Sequence, residues 1–184
     1  MEEQKNQILV IKLGALGDFI QALGPMRSIY HHHKRDHIIL LTTKPFENLA
    51  KSCPYFDEIW IDTKPKWFEI QKWIHLKKRL SKRNFIRVYD LQNNDRTGWY
   101  FRLLDHPKPE WVGVSHGASH QNSDPERTRG QAFDGHVLTL QKAGIQNIQI
   151  DCLEWMKSSK KFDLPKNYAL IVPGSAPSHL KKRW

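Results

Sequence analysis

Asp18 closes the segment Gly14-Ala15-Leu16-Gly17-Asp18, which directly follows an apolar run at residues 8–13. A loop that holds phosphate on a helix N-terminus offers backbone N–H groups and no fixed negative charge. A carboxylate at that place suits a hydroxyl that must lose a proton. The dinucleotide pattern G-x-G-x-x-G is absent. Two roles stay open for Asp18 on residue type alone: a general base, or a carboxylate capping the helix that follows. Gly14 and Gly17 let backbone approach a substrate closely, or simply make the turn. Lys12 can anchor an anionic group or lie along the surface with its head in water. Further on, Asp90, Gln92 and Arg96 combine a carboxylate, an amide suited to sugar hydroxyls and a guanidinium suited to phosphate or carboxylate; the bland alternative is loop capping. His116, His120, Arg127 and Arg129 sit in a polar, turn-rich stretch at 115–129 that fits an anionic sugar or an ordinary solvated loop. His31, His32 and His33 are consecutive and would point in different directions on a helix, so a basic helix end is the better reading than a metal site.

The elements that must position these residues alternate. Strands are expected at 8–13, 37–42, 58–62, 85–91 and 110–114. Helices are expected at 18–32, 45–52, 67–83, 97–104 and 131–143, the first with a kink or restart at Pro25. Residues 145–166 read as a linker, and 168–172 as another strand before Pro173-Gly174-Ser175. Strands joined by helices imply an α/β, Rossmann-like parallel sheet with right-handed crossovers. Ligands of such sheets lie beyond the strands' C-terminal ends. Asp18, Thr42, Thr43, Asp90 and Gln92 all fall there.

With 184 residues, the chain is long enough for one well-packed domain and a remnant of another. The excess of 29 Lys and Arg over 19 Asp and Glu favours anionic partners. No segment has the ~20 apolar residues of a membrane span, and the polar start at residues 1–7 is unlike a secretory leader. A cytoplasmic protein is therefore expected. Cys53 and Cys152 are far apart, which fits reduced structural thiols rather than zinc. Residues 66–83 carry seven Lys or Arg against one Glu, interleaved with Trp67, Phe68, Ile70, Trp73, Ile74, Leu76 and Leu80. Such a helix either lies on an anionic membrane or packs its aromatics on the sheet. No helix-turn-helix, RNP-like or zinc-finger pattern supports nucleic-acid binding.

The residues Ile11-Lys12-Leu13-Gly14-Ala15-Leu16-Gly17-Asp18, then Leu23-Gly24-Pro25, Tyr89-Asp90-Leu91-Gln92 with Arg96, and Pro173-Gly174-Ser175 with Lys182-Arg183-Trp184 resemble glycosyltransferase family 9. This family contains the ADP-heptose:lipopolysaccharide heptosyltransferases. The resemblance implies a GT-B fold, with residues 1–150 as the N-terminal, acceptor-binding Rossmann-like domain. Residues 151–184 would be a linker and the first strand and loop of a C-terminal donor-binding domain. The chain would then be the N-terminal portion of an inverting transferase. Such an enzyme moves a sugar, heptose by resemblance, from an ADP-sugar to an anionic, lipid-linked lipopolysaccharide-core acceptor. The resemblance makes Asp18 the general base. It assigns Lys182, with Ser175 and Ser178, to the donor phosphates, and no metal is expected because a lysine can stabilise the leaving diphosphate. Lys12, Gly14, Gly17, Asp90, Gln92, Arg96 and His120 would face the acceptor. A lipid-linked acceptor would bring the protein to the cytoplasmic face of the inner membrane as a peripheral contact. The competing readings are an inactive fragment and a non-enzymatic module that binds anionic ligands or nucleic acid through its basic surface.

Overall fold

Along the first strand, side chains are buried on both faces. Ile8 and Val10 join one apolar cluster and Leu9 and Ile11 the other. A strand buried on both sides reads as a continuous apolar run and belongs at the centre of a parallel sheet covered by helices. The computed structural model, which describes residues 5–171, shows this arrangement. Ser175, Ser178 and Lys182 lie outside the described residues.

Among the described residues, six strands form one all-parallel sheet: β1 (Gln7–Ile11), β2 (His37–Thr43), β3 (Glu58–Asp62), β4 (Phe85–Asp90), β5 (Glu110–Gly113) and β6 (His120–Gln121). Their order is β3-β2-β1-β4-β5-β6. The chain winds outward from β1 through β2 to β3, then crosses back to β4. The order therefore reverses between β1 and β4, the place where open α/β sheets leave a crevice.

Among the described residues, five α-helices cover the sheet: α1 (Leu16–His32), α2 (Glu47–Ser52), α3 (Ile70–Ser81), α4 (Asp95–Leu103) and α5 (Ala132–Lys142). Phe19, Leu23, Met26 and Ile29 of α1, Ala50 of α2 and Leu140 of α5 pack on one face. Leu76 and Leu80 of α3 pack with Tyr100 and Phe101 of α4 on the other. The α/β Rossmann-like fold expected from the sequence is thus the fold found.

Several details differ from the expectation. Helix α1 starts at Leu16 and runs without a break through Pro25. Proline inside a helix costs about 3 kcal/mol. Here Ala22, Leu23, Gly24, Pro25 and Met26 are all buried, so packing holds the helical path. Helix α3 begins only at Ile70, leaving Trp67 and Phe68 in the preceding loop. The loop at 115–129 contains the two-residue strand β6 and a short 3-10 turn at Pro125–Thr128.

The stretch read as a linker is anchored over its first half. Ile145 and Asp151 are buried. The Tyr55 hydroxyl donates to the Asp151 carboxylate, and Trp155 packs on Tyr55. Gly24 makes this strap possible, because a Cβ there would stand 2.2 Å from the Gln149 carbonyl oxygen. Residues 157–171 are exposed, and 168–171 carry no strand.

Candidate functional site

The loop between β1 and α1 is tied down on both sides. The Leu13 N–H donates to Gln92 Oε1 at 2.8 Å, and the Thr43 hydroxyl donates to the Leu13 carbonyl at 3.1 Å. Lys12 Nζ donates to the Leu91 carbonyl at 2.9 Å. The ends of β1, β2 and β4 are therefore stitched together by side chains at the sheet's C-terminal edge. Gly14 makes the turn: its φ is +127°, and a Cβ would meet the Phe46 ring at 2.9 Å. Only glycine satisfies both conditions.

Asp18 is the third residue of α1, and its Oδ2 accepts the Ala15 N–H at 3.3 Å. This is half of a capping box rather than an N-cap. The bond is long, and the side chain remains exposed. Gly17 is exposed beside it with open space where a side chain would be.

Between α1, the end of β4 and the start of α5 lies a cleft of about 330 Å³. Its lining includes Lys12, Asp18, Gln92, Asn93, Arg127 and His136. The N-terminus of α5, from Gly130 to Ala132, also borders it. Two helix starts thus border one cavity, each already capped by its own carboxylate: Asp18 accepts the Ala15 N–H and Asp134 that of Gln131, while Gln21 Oε1 takes the Phe133 N–H.

Lys12 is not a surface lysine. It is only 3% exposed and continues the Ile8, Val10 series into the cleft. Burial pushes its ammonium down from 10.5 to about 8, against the pull of the Asp18 and Asp90 carboxylates. Asp90 is fully buried, and its Oδ1 accepts the N–H groups of Gln92 and Asn93. Burial raises its carboxyl to about 6, opposed by those backbone donors and by the Lys12 charge. Asp90 shapes the turn beneath the cleft rather than lining it. Its Oδ2 has no hydrogen-bond partner among the described residues.

His136 is the residue that sequence reading missed. It lies on α5, 5% exposed, and neither ring nitrogen has a partner among the described residues. Burial, and secondarily the Lys12 charge, lowers its pKa to about 3. A neutral imidazole offers one donor and one acceptor. That pair matches a hydroxyl better than an anion, whereas the Lys12 ammonium matches an anion. The available signal was a lone histidine in an otherwise core-facing helical stripe, which does not reveal what it faces.

The structure brings Lys12, Asp18 and Gln92 together. It places two other sequence candidates elsewhere. Arg96 turns away and donates from Nη1 to the Pro65 carbonyl at 3.1 Å. His120 sits on the edge strand β6, its Nδ1 2.9 Å from Ser119 Oγ. Of the three consecutive histidines, His33 is buried between Asp36 and the Tyr89 hydroxyl, at 2.7 and 2.8 Å.

Solved structures share this fold. A glycosyl transferase family 9 protein from Veillonella parvula aligns with a TM-score of 0.66 at 20% identity, over 82% of this chain and 45% of that one. The E. coli heptosyltransferase WaaC, solved with ADP-2-deoxy-2-fluoro heptose, aligns with a TM-score of 0.56 at 13% identity, over 79% of this chain and 51% of that one. E. coli ADP-heptose lps heptosyltransferase II gives a TM-score of 0.52 at 15% identity, over 80% of this chain and 47% of that one. The chain therefore spans about half the length of the structures it resembles. No protein-family profile matches it, and no curated protein matches it by sequence.

Proposed function

We propose that this chain is the acceptor-binding half of an inverting glycosyltransferase of the family 9 type. The reaction would move a heptose from an ADP-sugar to an anionic lipopolysaccharide-core acceptor. The observation that carries this reading is the gathering of Asp18, Lys12, Gln92 and His136 around one cleft at the β1/β4 reversal. The fold neighbours and the sequence resemblance favour the same class.

In the proposed step the acceptor hydroxyl gives its proton to the Asp18 carboxylate as its oxygen bonds to the anomeric carbon. The bond from that carbon to the donor phosphate breaks on the opposite face, and the electron pair leaves with the nucleoside diphosphate. The exposed Asp18 carboxylate is reachable by a hydroxyl entering the cleft. Lys12 would hold an acceptor anion, while neutral His136 and the Gln92 amide would hold sugar hydroxyls. Lys182, Ser175 and Ser178 keep their proposed role at the donor diphosphate, where a cation stabilises the leaving charge.

The test uses the enzyme that carries both halves, with transfer from ADP-heptose as the readout. Asp18→Ala should lower kcat by about 10²–10⁴-fold, the usual contribution of a positioned base, with an unchanged circular dichroism spectrum. Turnover within tenfold of the parent would remove Asp18 from the base role.

A further inference from the structure

The turn that carries Asp18 contains two glycines, Gly14 and Gly17, and so has little stiffness of its own. Polar bonds grip it at the entry only. Leu13 is held at both its N–H and its carbonyl, by Gln92 and Thr43. Past that point, among the described residues, one side-chain hydrogen bond involves residues 14–18, from the Ala15 N–H to Asp18. It lies within the turn, so it cannot tie the turn to the rest of the domain.

The remaining support is apolar and comes from one ring. Phe46 ends the short 3-10 turn after β2, Lys44–Phe46. Its ring stacks on that of Phe19, the residue after Asp18, with centroids 5.2 Å apart and planes 15° from parallel. The same ring closes on the other end of the turn. Two of its edge atoms lie 2.9 and 3.3 Å from where a Gly14 Cβ would stand. One flat side chain therefore braces the turn before Ala15 and after Asp18. Phe19 is fully buried in the core, whereas Phe46 is half-buried at its rim. The place of Phe46 is set by Pro45, which fixes the backbone one residue earlier, and by α2, whose Ala50 is buried in the same apolar cluster. Phe46 does not line the cleft that Asp18 borders. Any effect of the ring on a bound sugar must pass through the turn.

We propose that Phe46 is the positioning residue for Asp18, holding the backbone of residues 14–18 so that the carboxylate keeps one aim into the cleft. The proposal rests on the reading of Asp18 as the base. A base must stand within hydrogen-bond reach of the hydroxyl it serves. Misplacing a catalytic group by about 1 Å can cost on the order of 10²-fold in rate. Stacked aromatic pairs hold a preferred geometry that aliphatic contacts lack. Leucine would fill most of the space but present no flat face to Phe19 or Gly14.

The order of the turn is read in this chain, and its use in the enzyme that carries both halves. Amide nitrogen relaxation should give Leu16, Gly17 and Asp18 order parameters of about 0.85 in the parent and below about 0.6 in Phe46→Leu and Phe46→Ala. Leu9 and Val10, in the centre of the sheet, should not change. In the enzyme, Phe46→Leu should lower kcat about 10–100-fold, with KM for the acceptor within about twofold of the parent. In an Asp18→Ala background the same change should lower kcat no further, because residues that act as a unit do not add. Phe46→Leu keeps apolar bulk and carries the test where Phe46→Ala fails to fold. The proposal is overturned if Phe46→Leu leaves the order parameters or kcat at parent values. It also fails if the loss persists in full in the Asp18→Ala background, since the ring would then act elsewhere. Parent-like turnover in Asp18→Ala alone removes the base reading, a result distinct from either of these.

Discussion

Replacing Lys12 by Met should make the protein more stable and less able to bind an anionic acceptor. Lys12 occupies a position where the inward series Ile8, Val10 calls for an apolar side chain, and only 3% of its surface is exposed. Its ammonium is depressed from 10.5 to about 8, chiefly by burial. That difference holds roughly 3 kcal/mol against the folded state while Lys12 is charged. Methionine keeps the volume of the stem and removes the charge. Against this gain, the Leu91 carbonyl loses its donor, a cost of about 1 kcal/mol. The attraction between Lys12 and the buried Asp90 carboxylate is already contained in that depressed value. The net expectation is a gain of about 2 kcal/mol at pH 7. The pH dependence has a definite sign. Below about pH 8 both folded and unfolded chains hold the Lys12 proton, and the full penalty applies. From about 8 to 10.5 the unfolded chain binds more protons than the folded one, so the parent's stability from this group rises with pH. Lys12→Met lacks this rise, so its advantage should shrink across that window and give way above it to a deficit of about 1 kcal/mol, the lost Leu91 bond. Urea unfolding at pH 7, 8.5 and 10 measures all three points. A variant less stable than the parent by more than about 1 kcal/mol at pH 7 would refute the reasoning, because Lys12 would then be a structural cation and not one held at a cost for a ligand.

Two other substitutions probe the same framework. His136→Leu removes two buried nitrogens that have no partner among the described residues, so stability should hold or rise by about 1 kcal/mol; thermal unfolding checks this, and in the enzyme with both halves KM for the acceptor should rise. Gly24→Ala would put a methyl 2.2 Å from the Gln149 carbonyl oxygen, and the backbone strap must shift at a cost of about 1–3 kcal/mol, read as a lower urea midpoint with an unchanged helical spectrum.

The parts of the fold that repeat were readable from the chain. Strand β3 appears at the expected Glu58–Asp62, and β2 extends only one residue beyond its expected end. Both-face burial forces long apolar runs, which announce themselves. Lys12 and Gln92 were readable as candidates because they stand at the ends of such runs, and Asp18 because it closes the glycine turn that follows the first. His136 was not, since its value depends on α5 lying against α1, a contact between residues more than a hundred positions apart. Arg96 failed for the converse reason: its place near the end of β4 gives its neighbourhood, but only the fold shows that Pro65 takes its side chain. The strap at 145–156 has no periodicity to read. It is held by Gly24, Tyr55 and Asp151, which meet only in three dimensions.

That strap separates motion from chemistry. Helix α1 carries Asp18 at its front and Gly24 in its middle, and the chain leaving α5 is seated against Gly24 before it runs on past Met156. A movement beyond Lys157 would be taken up in the exposed stretch 157–171, which has no helix or strand to transmit it. The torque ends at a seated backbone and does not reach the first turn of α1. In the proposed transferase, a donor-binding half would then open and close over the cleft while the carboxylate it must meet stays in register with the sheet.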